Sequence, residues 1–281
     1  MSVRLKVLHR TGFSYAGGAL KSYNEARMTP QTTLEQELRH SRLDVLPVPW
    51  SFTYTDYWGT QVTAFEVHEK HEKLSVTCTS TVDVDREVRS GAGLSWADLR
   101  TPRVVDEFVE TLHISDRVDP GEDLLSWVTP LAEQSDKPGD YARSVVALIH
   151  DEVEYVTGST HVESRAAEAW AARSGVCQDM AHLTVGCLRH VGIPARYVSG
   201  YLVPKATAEI GQAVSGESHA WVEWWDGEWV GFDPTNGIGV NNHHIVVAHG
   251  RDYADVAPLS GIFTGGKALD MFVEVEITRL R

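Results

Sequence analysis

Ser174-Gly175-Val176-Cys177-Gln178-Asp179 opens an apolar run that continues through Met180, Leu183, Thr184, Cys187, Leu188 and Val191. This pattern predicts a helix from about Cys177 to His190 with little exposed surface, and a helix apolar on nearly all sides belongs at the centre of a domain. Gly192 stands where a left-handed C-terminal cap belongs, and Pro194 forbids continuation. Cys177 therefore falls at a helix start, with Gly175 allowing the tight turn into it.

Downstream, Tyr197 to Val203, Ala220 to Trp225 and Glu228 to Phe232 read as strands, the last two bracketing Asp226-Gly227. They carry His219, 42 residues beyond Cys177, and Asp233, 14 beyond His219. A nucleophile, a base and an orienting acid in that order name acyl transfer through a thioester. A thiol attacks only as thiolate, and its ordinary pKa of about 8.5 falls at a helix N-terminus and beside an imidazolium. Strand alternation gives a geometric condition. A two-residue turn at Asp226-Gly227 would send His219 and Asp233 to opposite faces, whereas the three-residue loop Trp225-Asp226-Gly227 sets them opposite one another. That loop, with a bulge at left-handed Gly227, or an equivalent odd-length register, is the expectation.

Before the cysteine helix the period is helical. Val104, Val105, Phe108, Val109 and Leu112 follow Thr101-Pro102, and Tyr141, Val145, Leu148 and Ile149 mark a helix from Asp140 to about Glu152. A short helix from Arg165 to Arg173 is expected to be capped by Ser164. Residues 1–93 are β-rich instead, with Val3, Leu5 and Val7 alternating and Gln61–Val67 and Leu74–Val84 rich in Val, Thr and aromatics. Pro47-Val48-Pro49 and Asp56–Thr60 supply turns with an edge strand between them, and Ser90-Gly91-Ala92-Gly93 reads as a linker. Met271–Ile277 alternates as a final half-buried strand. The expected class is α+β: an antiparallel β domain over 1–93, then a core over 94–281 that includes that strand.

Composition narrows the function. Lys+Arg of 25 against Asp+Glu of 39 gives a formal charge of −14, a surface that repels phosphate backbones and anionic lipid. Neither nucleic acid nor a membrane is an expected partner. The N-terminus lacks the apolar stretch of a secretory signal, no run reaches the length of a membrane span, and three cysteines without a C-x-x-C pair fit a reducing compartment. The cytoplasm is the expected location.

Other features have plainer readings. Cys78 and Cys187 are small buried hydrophobes. Trp221, Trp224, Trp225 and Trp229 are chiefly core, with one or two as walls of the reacting cleft the alternative reading. His243-His244 suggests a metal pair, but neighbouring strand residues face opposite ways, so no metal is expected there. Asp83-x-Asp85 lacks the glycine and terminal glutamate of a calcium loop, and no phosphate-binding loop follows a strand. No cofactor is expected. The Cys177 N–H is one oxyanion donor by position, and Tyr155 and Trp170 are the side-chain candidates for a second.

At Gly175-Val176-Cys177-Gln178-Asp179-Met180-Ala181-His182, with Arg189–Tyr201, Ser218-His219-Ala220-Trp221 and Phe232-Asp233-Pro234-Thr235-Asn236, the chain resembles the microbial transglutaminase-like superfamily. Ser22–Pro30 and Asp56-Tyr57-Trp58-Gly59 are similar to the β domain preceding the core in many bacterial members, with Thr60 where the family often has Asn. The resemblance implies a papain-like core, a cysteine helix packed on an antiparallel sheet. It implies Cys177 as nucleophile, His219 as general base and acid, and Asp233 as the orienting acid. Members include transglutaminases, peptidases, amidases, deamidases and inactive binding versions. Calcium dependence is not expected at this length.

The expected chemistry is attack of Cys177 on a peptide or glutamine amide of a peptide or protein substrate. His219 protonates the departing amine, and water or an amine acceptor then takes the acyl group. Hydrolysis is preferred to transamidation, since nothing in the sequence marks an amine site. One rival is a catalytically silent peptide-binding scaffold. The other is an arylamine acetyltransferase, whose cysteine comes much earlier in the chain. Exposed edges of the β domain would allow a homodimer.

Overall fold

The long alternating run after Val3 forms β1 (Val3–Ala26), the spine of a seven-stranded sheet in the computed structural model, which describes residues 2–204 and 209–281. Strands β2 (Gln36–Leu46), β3 (Trp50–Thr55), β4 (Gln61–Val67) and β5 (His71–Val84) follow. One edge of β1 pairs with β5 along Val3–Ser14 and with β4 along Ser22–Ala26. The strand between the two turn signals, β3, pairs with β4 alone and is the expected edge.

Three short helices, α1 (Trp96–Leu99), α2 (Pro102–Glu107) and α3 (Val109–Leu112), lead to α4 (Gly121–Gln134) and α5 (Pro138–Glu152). The helix expected after Thr101-Pro102 is thus broken at Phe108, and Thr101 makes no side-chain cap. A two-residue strand β6 (Glu154–Tyr155) pairs with β7 (Ser174–Gly175) around α6 (Ala166–Ala172). Ser164 does not cap α6. Its Oγ accepts the His161 N–H, and Glu168 accepts the Arg165 N–H at 3.0 Å.

The cysteine helix, α7 (Cys177–His190), has the expected bounds and is buried from Gln178 to Arg189. It packs against α5, α6 and a five-stranded antiparallel sheet. That sheet is built from β8 (Ala195–Leu202), β10 (Glu217–Trp225), β11 (Trp229–Asp233), β12 (Ile238–Gly239) and β13 (His244–Gly250), in the order β12-β11-β10-β8-β13. The short β9 (Ala213–Ser215) belongs to the first sheet. Full burial of Leu183 and Leu188 on α7 contributes about 1.5–3 kcal/mol each.

After the short α8 (Tyr253–Val256) comes β14 (Leu259–Arg279). The sequence reading counts this strand with residues 94–281. In the structure it is hydrogen-bonded to β1 from Leu5↔Arg279 to Ala26↔Leu259, within the sheet of the first 93 residues. One hydrophobic core accordingly runs through both parts, joining Leu5, Val7, Val82, Val275 and Ile277 to Val145, Leu183, Val222 and Trp224. The segment expected as a linker is held against the β10–β11 turn. Asp226 accepts the Ala92 N–H on its carbonyl at 2.7 Å and the Leu94 N–H on Oδ1 at 2.6 Å. Gly91, at φ +83°, passes so close that a Cβ there would lie 2.1 Å from Asp226 Oδ2.

No helix among the described residues is long and apolar enough to cross a membrane.

Candidate active site

The β10–β11 hairpin decides whether His219 and Asp233 can meet. Its pairing runs Val222↔Phe232, Glu223↔Gly231, Trp224↔Val230 and Trp225↔Trp229, so the loop is Asp226-Gly227-Glu228. It has the expected odd length but starts one residue later than Trp225-Asp226-Gly227. Gly227 is left-handed at φ +79°, as expected, but it sits at the middle of the loop and not at a bulge, and the paired run is unbroken. Carried one step further, this register sets Asp233 opposite Trp221, so His219 lies two residues along on the same face. Alternation sends Ala220, Val222 and Trp224 into the α7 core and leaves His219, Trp221 and Asp233 on the other face.

His219 Nε2 and Asp233 Oδ2 are 2.8 Å apart, with His219 4% and Asp233 0% exposed. The carboxylate is held from every side. Asn236 Nδ2 donates to Oδ2 at 2.7 Å, and the Thr235 and Asn236 N–H groups donate to Oδ1 at 3.0 and 3.2 Å. A further ring, which the sequence offers only as half of the His243-His244 pair, completes the set. His244, at the head of β13, places its Nε2 3.1 Å from the same Oδ2. The Asn241 N–H donates to His244 Nδ1 at 3.3 Å, so Nε2 carries the proton and His244 is a neutral donor. Burial lowers its pKa against the pull of Asp233. His243, in the turn before β13, is exposed, whereas His244, the first residue of the strand, is buried.

Burial alone would push His219 down and Asp233 up. Asp233 and Cys177, both partners of the His219 ring, outweigh burial and raise it to about 10. The hydrogen bonds from His219, His244 and Asn236 hold Asp233 well below the usual carboxylate range. This electrostatic state favours an imidazolium facing a sulfur. The ligand atoms of His219, Asp233 and His244 lie within 4.8 Å of one another, a spacing that could hold a cation. Both imidazole Nε2 atoms are committed to Asp233, so a cation would have to displace those two bonds.

Cys177 is half-buried at the first residue of α7 and lines a cleft of about 200 Å³ with Gln178, Tyr197, His219 and Tyr253. Asp179 caps that end of the helix, its Oδ2 accepting the Val176 N–H at 2.8 Å and the Thr160 hydroxyl at 2.6 Å. The far wall of the cleft comes from the other sheet, with His9 and Thr11 on β1 and Met271 and Val273 on β14. Glu217 and Asn236 line a second hollow of about 540 Å³ with Leu202 and Ile238.

The two side-chain oxyanion candidates separate. Trp170 is 1% exposed, and its Nε1 donates to Asp123 Oδ2 at 2.6 Å. Tyr155, 47% exposed, lies in the field of Cys177. Its phenol is pushed up by burial and then by the charges of Cys177 and Glu217. No tryptophan of the hairpin lines the cysteine cleft among the described residues. Trp221 and Trp224 are core, with Trp221 edge-on to His244 at 5.2 Å, and Trp225 and Trp229 pack on Phe108. Cys78 and Cys187 are buried as expected.

Comparison with known proteins follows the same lines. Residues 126–234, which include Cys177, His219 and Asp233, match the model of the transglutaminase-like superfamily. Residues 5–83 match that of the bacterial transglutaminase-like N-terminal region. An uncharacterized protein of Mycobacterium leprae is 40% identical over 277 residues, covering 99% of both chains. One of Mycobacterium tuberculosis is 33% identical over 291 residues, covering 97% of this chain and 92% of the relative. Among solved structures, a candidate cysteine protease from Cytophaga hutchinsonii shares the fold at a TM-score of 0.79 and 24% identity, over 100% of this chain and 92% of the other.

Proposed function

This chain belongs to the transglutaminase-like superfamily, and on that premise we propose that it is a cysteine-dependent acyl-transfer enzyme acting on peptide or glutamine amides. The observation that carries this reading is the buried His219, hydrogen-bonded to Asp233 at 2.8 Å and lining one cleft with Cys177 at the first residue of α7.

In this reading Cys177 attacks the amide carbonyl as thiolate and forms a C–S bond. His219, whose Nε2–H is anchored on Asp233, gives the departing nitrogen a proton from its other ring nitrogen as the C–N bond breaks. The Cys177 N–H and the Tyr155 hydroxyl are the proposed oxyanion donors. Water, activated by the now neutral His219, then resolves the thioester, and an amine in its place gives transamidation. Hydrolysis is the preferred outcome. The free cysteines suit a reducing compartment such as the cytoplasm.

The test is intact-protein mass spectrometry after exposure to a peptide library, with and without added amine. An acyl adduct on Cys177 that turns over, and its loss in Cys177→Ala with the fold retained, is expected. Turnover in Cys177→Ala would overturn the mechanism. The silent scaffold would show neither an adduct nor rapid alkylation of Cys177 at pH 6.

A further inference from the structure

His9 stands on β1, outside the catalytic sheet, yet it lines the Cys177 cleft. It is 1% exposed, and its neighbours across the sheet are Cys78 and Val275. Its Nδ1 lies 3.0 Å from the hydroxyl of Tyr201 on β8, the two rings meeting edge-on at 5.5 Å. The direction of that bond is fixed by what Tyr201 does next. The single phenolic hydrogen of Tyr201 goes to the Met28 carbonyl at 3.1 Å. The Tyr201 oxygen is therefore the acceptor, and His9 Nδ1 carries the hydrogen.

The consequence falls on the other nitrogen. A neutral imidazole protonated at Nδ1 leaves Nε2 as a bare acceptor. Burial keeps the ring neutral, with its pKa lowered to about 4, so Nε2 cannot become a donor at ordinary pH. Nε2 is buried and has no hydrogen-bond partner among the described residues. A buried acceptor left unmatched bears its full desolvation penalty, which is removed when a donor arrives. The rest of this wall offers little competition. Met271 and Val273 are apolar, and the Thr11 hydroxyl already donates to the Phe272 carbonyl at 2.9 Å.

We propose that His9 Nε2 accepts an amide N–H of the acyl donor beside the carbonyl that Cys177 attacks, so that the β domain selects peptidic substrates. This rests on the acyl-transfer reading above and adds to it the chemistry of the group bound. Tyr201 acts through His9 as a positioning residue by fixing its tautomer.

The test uses the full chain and two alkylating probes, acetyl-Ala-Ala chloromethyl ketone and the same compound N-methylated on the residue bearing the ketone. The readout is the ratio of their alkylation rates at Cys177. In the wild type the N–H probe should react about tenfold or more faster, since a site built to accept a hydrogen bond rejects the analogue lacking the donor. In His9→Phe the ratio should fall to about one, and in Tyr201→Phe it should fall in the same direction. Equal rates of the two probes on the wild type would overturn the proposal even if no variant folds, and so would a ratio that survives in His9→Phe. Methyl methanethiolsulfonate, which carries no N–H, separates the two levels of inference. Slow modification of Cys177 by this reagent at pH 6 in the wild type counts against the acyl-transfer reading. Fast modification with no discrimination between the ketones counts against His9 alone.

Discussion

His219 and His244 share one oxygen: their Nε2 atoms lie 2.8 and 3.1 Å from Asp233 Oδ2, on rings whose centroids are 6.3 Å apart. They come from strands β10 and β13, which flank β8 on its two sides. The two rings hold different protonation states around a common carboxylate. His219 is drawn toward the cation by Asp233 and Cys177, and His244 is kept neutral by the Asn241 N–H on its Nδ1.

Asp233→Asn removes the charge that supports the His219 imidazolium. The rate should fall by about 10²–10⁴-fold, as loss of the orienting acid does in comparable triads. The alkaline limb of the pH–rate profile, expected near pH 10 in the wild type if His219 sets it, should move toward the ordinary histidine range. A full profile with a slow peptide substrate would read both effects, and an unmoved limb would remove Asp233 from its role.

His244→Phe leaves Asp233 without one donor while keeping a ring against Trp221. We expect a stability loss of ~1–3 kcal/mol in urea melts and a rate reduced about tenfold. His244→Gln, which can still donate an N–H, should recover part of both. If Phe and Gln behave alike, the hydrogen bond contributes nothing beyond packing.

Stability should depend on pH through His219. Its folded value, about 10, lies above the ordinary 6.5, so the folded state holds a proton that the unfolded chain releases earlier. The stabilisation is complete below about pH 6.5 and disappears as pH rises through about 10, amounting to ~5 kcal/mol at most. Denaturation curves at pH 6.5, 8 and 10 should show this decline in the wild type and a flatter one in His219→Gln. Asp233 has the opposite sign, because its depressed value gives stability above the ordinary carboxylate range that is lost on acidification.

Gly200→Ala tests the packing beneath the site. Gly200 pairs with His219 on one side and Val246 on the other. A Cβ there would lie 2.0 Å from the Ile245 carbonyl oxygen and 2.6 Å from the Trp221 ring. A loss of ~1–3 kcal/mol is expected from forced backbone shifts, read as a lower Tm. Loss of activity at temperatures where the variant stays folded would show that the same shift displaces His219.

What was legible in the sequence follows the range of the forces involved. The bounds of α7 and its left-handed stop at Gly192, φ +86°, are set by local periodicity and local backbone conformation, and both could be read directly. The helix Gly121–Gln134 was missed because Pro130 stands inside it and masks the pattern of Leu124 and Val128. The hairpin parity was readable from alternation, but a one-residue slide of the loop leaves that parity unchanged, so the exact turn was not. His244 shows in the sequence only as half of a histidine pair, and its bond to Asp233 is not visible there because it exists only across the sheet. The placement of His9 depends on β1 meeting the Cys177 cleft, a contact with no trace in nearby sequence.

The long pairing of β1 with β14 fixes a timetable as well as a shape. Met271 and Val273 complete the cleft wall, but they follow Cys177, His219 and Asp233 in the order of synthesis. A nascent chain can thus expose its cysteine helix and both partner strands before the opposite wall exists. Closing that wall requires strands from distant parts of the chain to find each other, a slow, non-local event. The wall that faces Cys177 is therefore complete only once Met271 and Val273 have joined His9 and Thr11, after all three of Cys177, His219 and Asp233 have been made.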